Sequence, residues 1–428
     1  MNRKTFFVST AIDYPSEKPH LGHALEKIQA DVLARYKRME GFRVHFSTGT
    51  DEHGLKIQRK AKSTQKSPKT FVDEMSEYFR KCWKVLNISY DDFIRTTQRK
   101  HTKSVQQFVK ELYRKGDIYK GKYKGLYCVD CETYYLPKDL KNGKCRIHKK
   151  EPEVFEEETY FFRMSKYQKN LIKHIKENKN FIIPESRKNE ILERLKEPLQ
   201  DISITRANVE WGVPFPLDKK LTIFVWVDAL INYLTTIGYP EKKFKKFWPA
   251  DVHVVGKDIV WHHSVIWGSL LMSVGLSLPK TILVHGFVTV NGQKMSKSLG
   301  NIIDPLEITE KFGPDSLRYF VLIESSPFED FDFTYEKFKK RYNDDLVKGL
   351  GNLVSRILVM AKKFNQRESK KIKDRKLKEL LIITDRKQKE NLDKFQLNKA
   401  LKSVFELIDF LNEFIDEKKP WQKNNKSV

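Results

Sequence analysis

Two polar stretches, far apart in the chain, combine residue types that can handle a triphosphate. The first is His20-Leu21-Gly22-His23, which opens a helical pattern over residues 24–31. Its two histidines are three apart and share one helix face. The unpaired N–H groups of a helix start favour an anion, and Gly22 lets a flat group lie against the backbone. The second is Lys294-Met295-Ser296-Lys297-Ser298, shortly before Gly300. Two lysines and two serines on a glycine-flanked loop can fold over phosphates and neutralise charge building on a departing group. Either stretch alone fits an ordinary surface. Together in one α/β sheet they point to a nucleotide.

Three further sets carry chemistry. Asp51 sits in Gly49-Thr50-Asp51-Glu52-His53-Gly54, a polar turn after the strand expected at 43–48. In open parallel sheets such strand ends form the ligand crevice. On the helix expected at 259–267, His263 and Trp267 are four apart and Ile259 lies on the same side. A stripe of this kind is usually core, so it is a candidate pocket wall only if a partner motif accompanies it. Finally, Cys128-x2-Cys131 is followed, after 13 intervening residues, by Cys145-x2-His148. Two chelating loops of this spacing can close a tetrahedron of three thiolates and one imidazole around Zn2+. All four positions are filled by protein, which makes the site structural rather than catalytic. Metal binding there would contribute on the order of 10–16 kcal/mol to folding an insert with little core. Cys82 stands apart and reads as a packed thiol.

The elements that must position these groups are legible in outline. Strands are expected at 5–10, 43–48, 221–227, 251–256 and 281–286, with helices between. The polar, loop-rich stretch 117–207 breaks that rhythm. From residue 334 the pattern is helical: Leu346, Leu350, Leu353 and Ile357 form one stripe, and Leu401, Phe405, Ile408, Leu411 and Ile415 another.

Composition sets the limits. At 428 residues, with 39% hydrophobic and 12% aromatic content, the chain can fold into two or three domains. Its formal net charge of +25 permits a polyanionic partner such as nucleic acid, although lysine is spread throughout. No stretch approaches the roughly 18 apolar residues of a membrane span. No secretory cleavage pattern follows Met1-Asn2-Arg3-Lys4, so a cytoplasmic protein without a membrane partner is expected.

The two signature stretches resemble those of class I aminoacyl-tRNA synthetases, and the match narrows to the methionyl-tRNA synthetase family. Thr10-Ala11-Ile12-Asp13-Tyr14-Pro15, the Gly49–Gly54 turn, Trp226-Val227-Asp228-Ala229, Gly256-Lys257-Asp258-Ile259-Val260 and His285-Gly286-Phe287-Val288-Thr289-Val290 all look like the family's pattern. The cysteine spacing is similar to its single-zinc form. The resemblance implies an α/β fold: a Rossmann-like parallel sheet (1–116 and 208–333) with a zinc-binding insert (117–207), then a helical anticodon-binding bundle (334–428). It implies activation of L-methionine with ATP to methionyl-adenylate, then transfer to tRNA(Met), with Mg2+ and one Zn2+. Methionine would lie among Ile12, Tyr14, Trp226, Ala229, Tyr233, Ile259, His263 and Trp267, its ammonium on Asp51. His20, His23, Lys294 and Lys297 would act on the phosphates. Gly22, Glu26, Gly256, Asp258, His285, Gly286 and Val288 would hold the rest of ATP. Asn352, Arg356, Pro420 and Trp421 match positions that read the CAU anticodon.

Departures from the family are also visible. Leu21 replaces the commoner isoleucine, and Asp13 and Leu230 differ from residues often seen in bacterial relatives. The chain ends seven residues after Trp421, where relatives add at least one more helix, so a shortened bundle is expected. With no appended dimerisation domain, a monomer is expected. Two rivals remain. Other class I synthetases for aliphatic amino acids carry a larger editing insert, and a non-catalytic synthetase-like tRNA-binding protein would not need both signature stretches intact.

Overall fold

The computed structural model describes residues 4–130, 133–135, 140–146, 149–295, 300–326, 328–363 and 374–422. By the density of its contacts the chain divides into two units, residues 1–19 with 30–284 and residues 20–29 with 285–428.

The first unit is built on a six-stranded parallel sheet in the order Asp92–Arg95, Arg43–Thr50, Thr5–Thr10, Val252–Gly256, Thr281–His285, Ile182–Ile183. Its central strands read as apolar runs because both faces are covered. Phe7, Val8, Val254, Val255, Ile282 and Leu283 are all fully buried. Val8 pairs with Phe46 on one side and Val252 on the other. The chain therefore leaves Thr5–Thr10 in one direction and returns on the other side. This is a topological switch point, and it opens a crevice at the strands' C-terminal ends. The strand path is extended there by Asp13, whose N–H donates to Gly49 O at 2.8 Å and whose carbonyl accepts from Asp51 N at 2.8 Å. Helices cover the sheet as parallel crossovers require. Pro68–Val85, for example, is capped by Ser67 Oγ accepting from Thr70 N, and it buries Phe71, Met75, Phe79, Cys82 and Trp83.

The insert contributes a four-stranded antiparallel sheet. Its spine is the long pairing of Ile118–Cys128 with Glu153–Phe162, which runs from Ile118↔Phe162 to Tyr127↔Glu153. The strand expected at 221–227 is not one. Only Thr222–Ile223 pairs, with Thr205–Arg206, and Val225–Leu230 is helical. A short apolar run does not reveal its period, and here the helical turn brings Asp228 to buried partners described below. The helix after Gly256 also differs from a plain α-helix. It widens to i→i+5 bonding across His262–Ile266, the stretch that holds His263.

The second unit contains a small sheet of Gln293–Lys294, Val288–Val290 and Phe331–Phe333 and the C-terminal helices. The bundle core is Leu353, Ile408 and Ile415, with Met360, Val404, Phe405 and Leu411 packed on it. Of the expected stripe 346/350/353/357, only Leu353 is buried; Leu350 and Ile357 are exposed. Bonding is i→i+5 over Tyr342–Gly351, which takes Leu346 and Leu350 off a 3.6-residue repeat, whereas Ile357 lies on the regular Asn352–Lys363 helix. Among the described residues, no helix is long and apolar enough to cross a membrane.

Gly49 shows how tightly the crevice edge is drawn. A Cβ there would lie 1.9 Å from Ile94 O, a backbone atom that cannot step aside. Gly49→Ala should destabilise the protein by roughly 1–3 kcal/mol, read as a lower urea midpoint. An unchanged midpoint would show that the two strands can part there.

Candidate active site

In the first unit, the residues expected around an amino acid fall on the crevice-forming segments. Ile12 and Tyr14 follow the first strand, and Asp51, nearly buried, follows the second. Tyr14 Oη donates to His53 O at 2.9 Å. Trp226 and Ala229 lie on the Val225–Leu230 helix and Tyr233 on the next turn. Tyr233 and His263 meet: Tyr233 Oη is 2.6 Å from His263 Nε2, while His263 Nδ1 is 2.9 Å from Ile259 O. The carbonyl can only accept, so Nδ1 carries the proton in the neutral ring and Nε2 accepts from the tyrosine. Tyr233 also stacks on His253 at 4.1 Å, and Trp226 stacks on His262 at 3.7 Å. Burial, aided by the neighbouring His263 and Arg194, lowers His262 to about 3, so its ring in the stack is neutral at pH 7. Trp267 is wholly buried against Phe108, Tyr233 and Trp248 and forms the back of this aromatic group. Gly256 is buried at its strand end, and Asp258 is exposed on the turn that follows.

Sequence reasoning missed the group behind these residues. Asp228 is fully buried and its carboxylate lies between two imidazoles, His53 Nδ1 at 2.6 Å and His101 Nε2 at 2.9 Å. Burial pulls its pKa upward, but the charge of His53 and the hydrogen bonds of both rings prevail and lower it to about 2. A lone acid inside Trp226-Val227-Asp228-Ala229-Leu230 was the available signal, since such a carboxylate must find partners.

In the second unit, the two polar signatures come together. His20 N donates to His23 Nδ1 and Gly22 N donates to His20 Nδ1, both at 3.1 Å. An Nδ1 that accepts carries no proton, so both rings are neutral with Nε2–H as the donor edge. The rings lie 3.9 Å apart. Burial, aided by His20, Lys27 and His285, holds His23 well below the usual histidine value. A Cβ on Gly22 would stand 3.0 Å from the His20 ring and 3.6 Å from Met295 Cε. Met295, from the lysine–serine loop, therefore packs at the bare face of Gly22. Leu21 N donates to Ile303 O at 3.0 Å. The adjacent acid, Glu26, is nearly buried; it accepts from Lys27 Nζ at 3.0 Å and lies 3.1 Å from His285 Nε2.

Lys294 is placed by a tight hairpin. Asn291 and Gly292 both have positive φ, 51° and 73°, which suits the two-residue turn joining Val288–Val290 to Gln293–Lys294. Asp332 Oδ1 holds that turn through Gly292 N and Thr289 Oγ1, each at 2.7 Å. At the far end, Asn301 Nδ2 donates to Lys294 O at 3.3 Å. Lys297 lies outside the described residues. Gly286 allows a close backbone approach, since a Cβ there would sit 2.1 Å from Glu329 O; Val288 follows in the strand.

Two outlying groups complete the expected residues. In the bundle, Arg356 lies over the Trp421 ring at 5.6 Å and is ion-paired to Asp416, and Asn352 Nδ2 donates to Asn412 at 3.2 Å. Pro420 opens the turn that carries Trp421. In the insert, Cys128 and Cys145 are both buried. Asn142 and Gly143, both at positive φ, form a tight turn leading to Cys145, and Lys149 N donates back to Cys145 O at 2.8 Å. Cys131 and His148 lie outside the described residues.

The family model described as tRNA synthetases class I (M) matches residues 6–138 and 130–358. A Caldanaerobacter subterraneus methionine–tRNA ligase is 44% identical over 98% of this chain and 67% of its own length. The Thermotoga maritima ligase is 45% identical, over 97% and 68%. The chain belongs to the class I methionyl-tRNA synthetases. Among solved members of this family, the Mycobacterium tuberculosis synthetase in complex with methionyl-adenylate superposes with a TM-score of 0.94 at 37% identity, covering 98% of this chain and 86% of its own.

The Asp228 group has a pH signature. Its folded-state pKa of about 2 lies below the ordinary 3.8, so its stabilising effect is complete above about pH 4 and is lost as pH falls towards 2. Urea unfolding of the native chain should weaken by on the order of 2 kcal/mol more than that of Asp228→Asn across this window. Parallel declines would mean the carboxylate is not held by the histidines.

Proposed function

We propose that this chain is a methionine–tRNA ligase that uses ATP to make methionyl-adenylate and pyrophosphate, then esterifies tRNA(Met). The observation that carries this reading is the pair of imidazoles at Gly22. Both are fixed as neutral N–H donors, beside a glycine kept bare and next to Met295 of the lysine–serine loop. The solved M. tuberculosis relative holds methionyl-adenylate, the intermediate this reaction makes.

In this reading Asp51 accepts hydrogen bonds from the methionine ammonium. The side chain enters among Ile12, Tyr14, Trp226, Ala229, Tyr233, Ile259 and His263, with Trp267 behind, and its thioether suits aromatic walls. A methionine carboxylate oxygen attacks the α-phosphorus in line; the bond to the bridging oxygen breaks and pyrophosphate leaves. No protein nucleophile is needed, so catalysis is positioning and charge stabilisation. His20 and His23 donate to phosphate oxygens, and Lys294 and Lys297 offset the charge on pyrophosphate. Adenosine lies over Gly22, with the backbone of His285, Gly286 and Val288 at the base, Gly256 and Asp258 at the ribose, and Glu26 holding His285. ATP enters as its Mg2+ complex. A hydroxyl of the terminal tRNA ribose then attacks the methionyl carbonyl, and AMP leaves.

Asn352, Arg356, Pro420 and Trp421 read the anticodon by stacking and hydrogen bonding, and the basic surface adds sequence-independent attraction. The donor set Cys128, Cys131, Cys145 and His148 suits Zn2+, and the buried sulfurs at two turn ends fit a closed structural site. The ion would hold the insert's loops together. The domain limits proposed are 1–116, 117–207, 208–333 and 334–428, in a cytoplasmic monomer.

Methionine-stimulated ATP–pyrophosphate exchange tests the reading, and folded protein with no exchange would favour a non-catalytic tRNA binder. Lys297→Ala should slow exchange by roughly a hundredfold or more with little change in methionine affinity; an unaltered rate refutes its role. Trp421→Ala should impair tRNA charging by the equivalent of ~1–3 kcal/mol and leave exchange intact. Equal losses in both assays would make Trp421 structural. Elemental analysis should find one zinc per chain, absent from Cys128→Ser; no zinc in the native protein would remove the metal from the scheme.

A further inference from the structure

The hydrogen bonds to the Asp228 carboxylate join separate segments of the first unit. His101 is fully buried on the Arg99–Arg114 helix. Its Nε2 meets Asp228 Oδ1 at 2.9 Å, and its Nδ1 lies 3.1 Å from Thr235 Oγ1. That hydroxyl has Ile231 O as acceptor for its own proton at 3.1 Å. The His101 ring is thus held from both sides, by Asp228 and by Thr235. On the other side, Asp228 Oδ2 takes His53 Nδ1 at 2.6 Å.

The geometry matters because of what is attached to each end. His53 is two residues after Asp51, and its carbonyl accepts from Tyr14 Oη. Between them, Glu52 is tied down independently: its carboxylate accepts from Thr50 Oγ1 at 2.7 Å and Arg95 Nε at 2.6 Å, and its carbonyl from Trp211 Nε1 at 2.6 Å. Asp228 is next to Ala229 and two residues after Trp226 on the same short helix. A six-residue helix has little stability of its own. Asp228 is the side chain by which this helix is fastened to the turn that carries Asp51.

We infer that His53, Asp228 and His101 are positioning residues for methionine, a buried clamp that fixes the ammonium-binding carboxylate against the wall of the side-chain pocket. The inference rests on the ligase reading proposed above. It assigns these three residues no contact with substrate: they act through Asp51, Tyr14, Trp226 and Ala229. Loosening the clamp leaves the pocket's composition unchanged and spoils the spacing between its two ends, which methionine must bridge. Small misplacements of this kind are expensive in binding and rate.

The test uses the full chain and methionine-dependent ATP–pyrophosphate exchange, with thermal unfolding in parallel. His53→Ala removes the donor to Asp228; His53→Asn keeps an N–H at the Nδ1 position. His53→Ala should raise KM for methionine roughly tenfold or more while KM for ATP stays within about twofold, and His53→Asn should recover most of the loss. Asp228→Asn should behave like His53→Ala if it folds. An unchanged KM for methionine in His53→Ala overturns the clamp. So does an equal rise in both KM values, or activity that falls only in step with the fraction folded, since each is what a merely structural residue would give. Exchange by the native chain is the control: its absence overturns the ligase reading and the clamp with it, whereas native exchange with an unaltered variant overturns the clamp alone.

Discussion

A carboxylate with no exposure to water must be paired or it will not ionise, and Asp228 is such a group. Much of the first unit follows from keeping it paired. The turn after the second strand has to deliver His53, the Arg99–Arg114 helix has to deliver His101, and residues 225–230 have to be helical for the acid to face both. Taking one partner from a buried charge pair typically costs about 3–5 kcal/mol, because the remaining charge is left uncompensated. The Asp51 turn and the Trp226–Ala229 segment are thus held in place by the same interaction.

Local patterns could be read from the sequence; long-range pairings could not. Parallel strands and the helical C-terminus were visible because buried runs and 3.6-residue stripes leave a periodic trace. His20-Leu21-Gly22-His23 was visible because its residues are neighbours within one helical turn. Asp228 was passed over because its partners lie 175 and 127 residues away, and nothing in a contiguous pattern marks such a pairing. The strand expected at 221–227 failed for a related reason: a run without period takes its form from its contacts. In the bundle, widened bonding over Tyr342–Gly351 displaced a stripe that assumed regular turns. The tight turn at Asn291-Gly292 was the converse case, a strong local signal that went unused.

In the second unit, a helix start holds two neutral imidazoles side by side. Backbone N–H groups occupy Nδ1 of both His20 and His23, so the main chain sets one tautomer for each ring. Glu26 and Lys27, both buried, neutralise each other one turn further along, and His285 closes on the same acid.

Neutral donors and charged ones respond differently to the solvent around them. Dissolved ions screen a lysine over a Debye length of about 8 Å at physiological ionic strength, but they leave a short N–H contact almost untouched. In the proposed ATP site, added salt would therefore weaken the lysine loop's hold on the phosphates while the imidazole pair kept its own. Ionic strength becomes a dial that separates attraction from orientation, and the fixed Nδ1 atoms of two histidines are what make the separation possible.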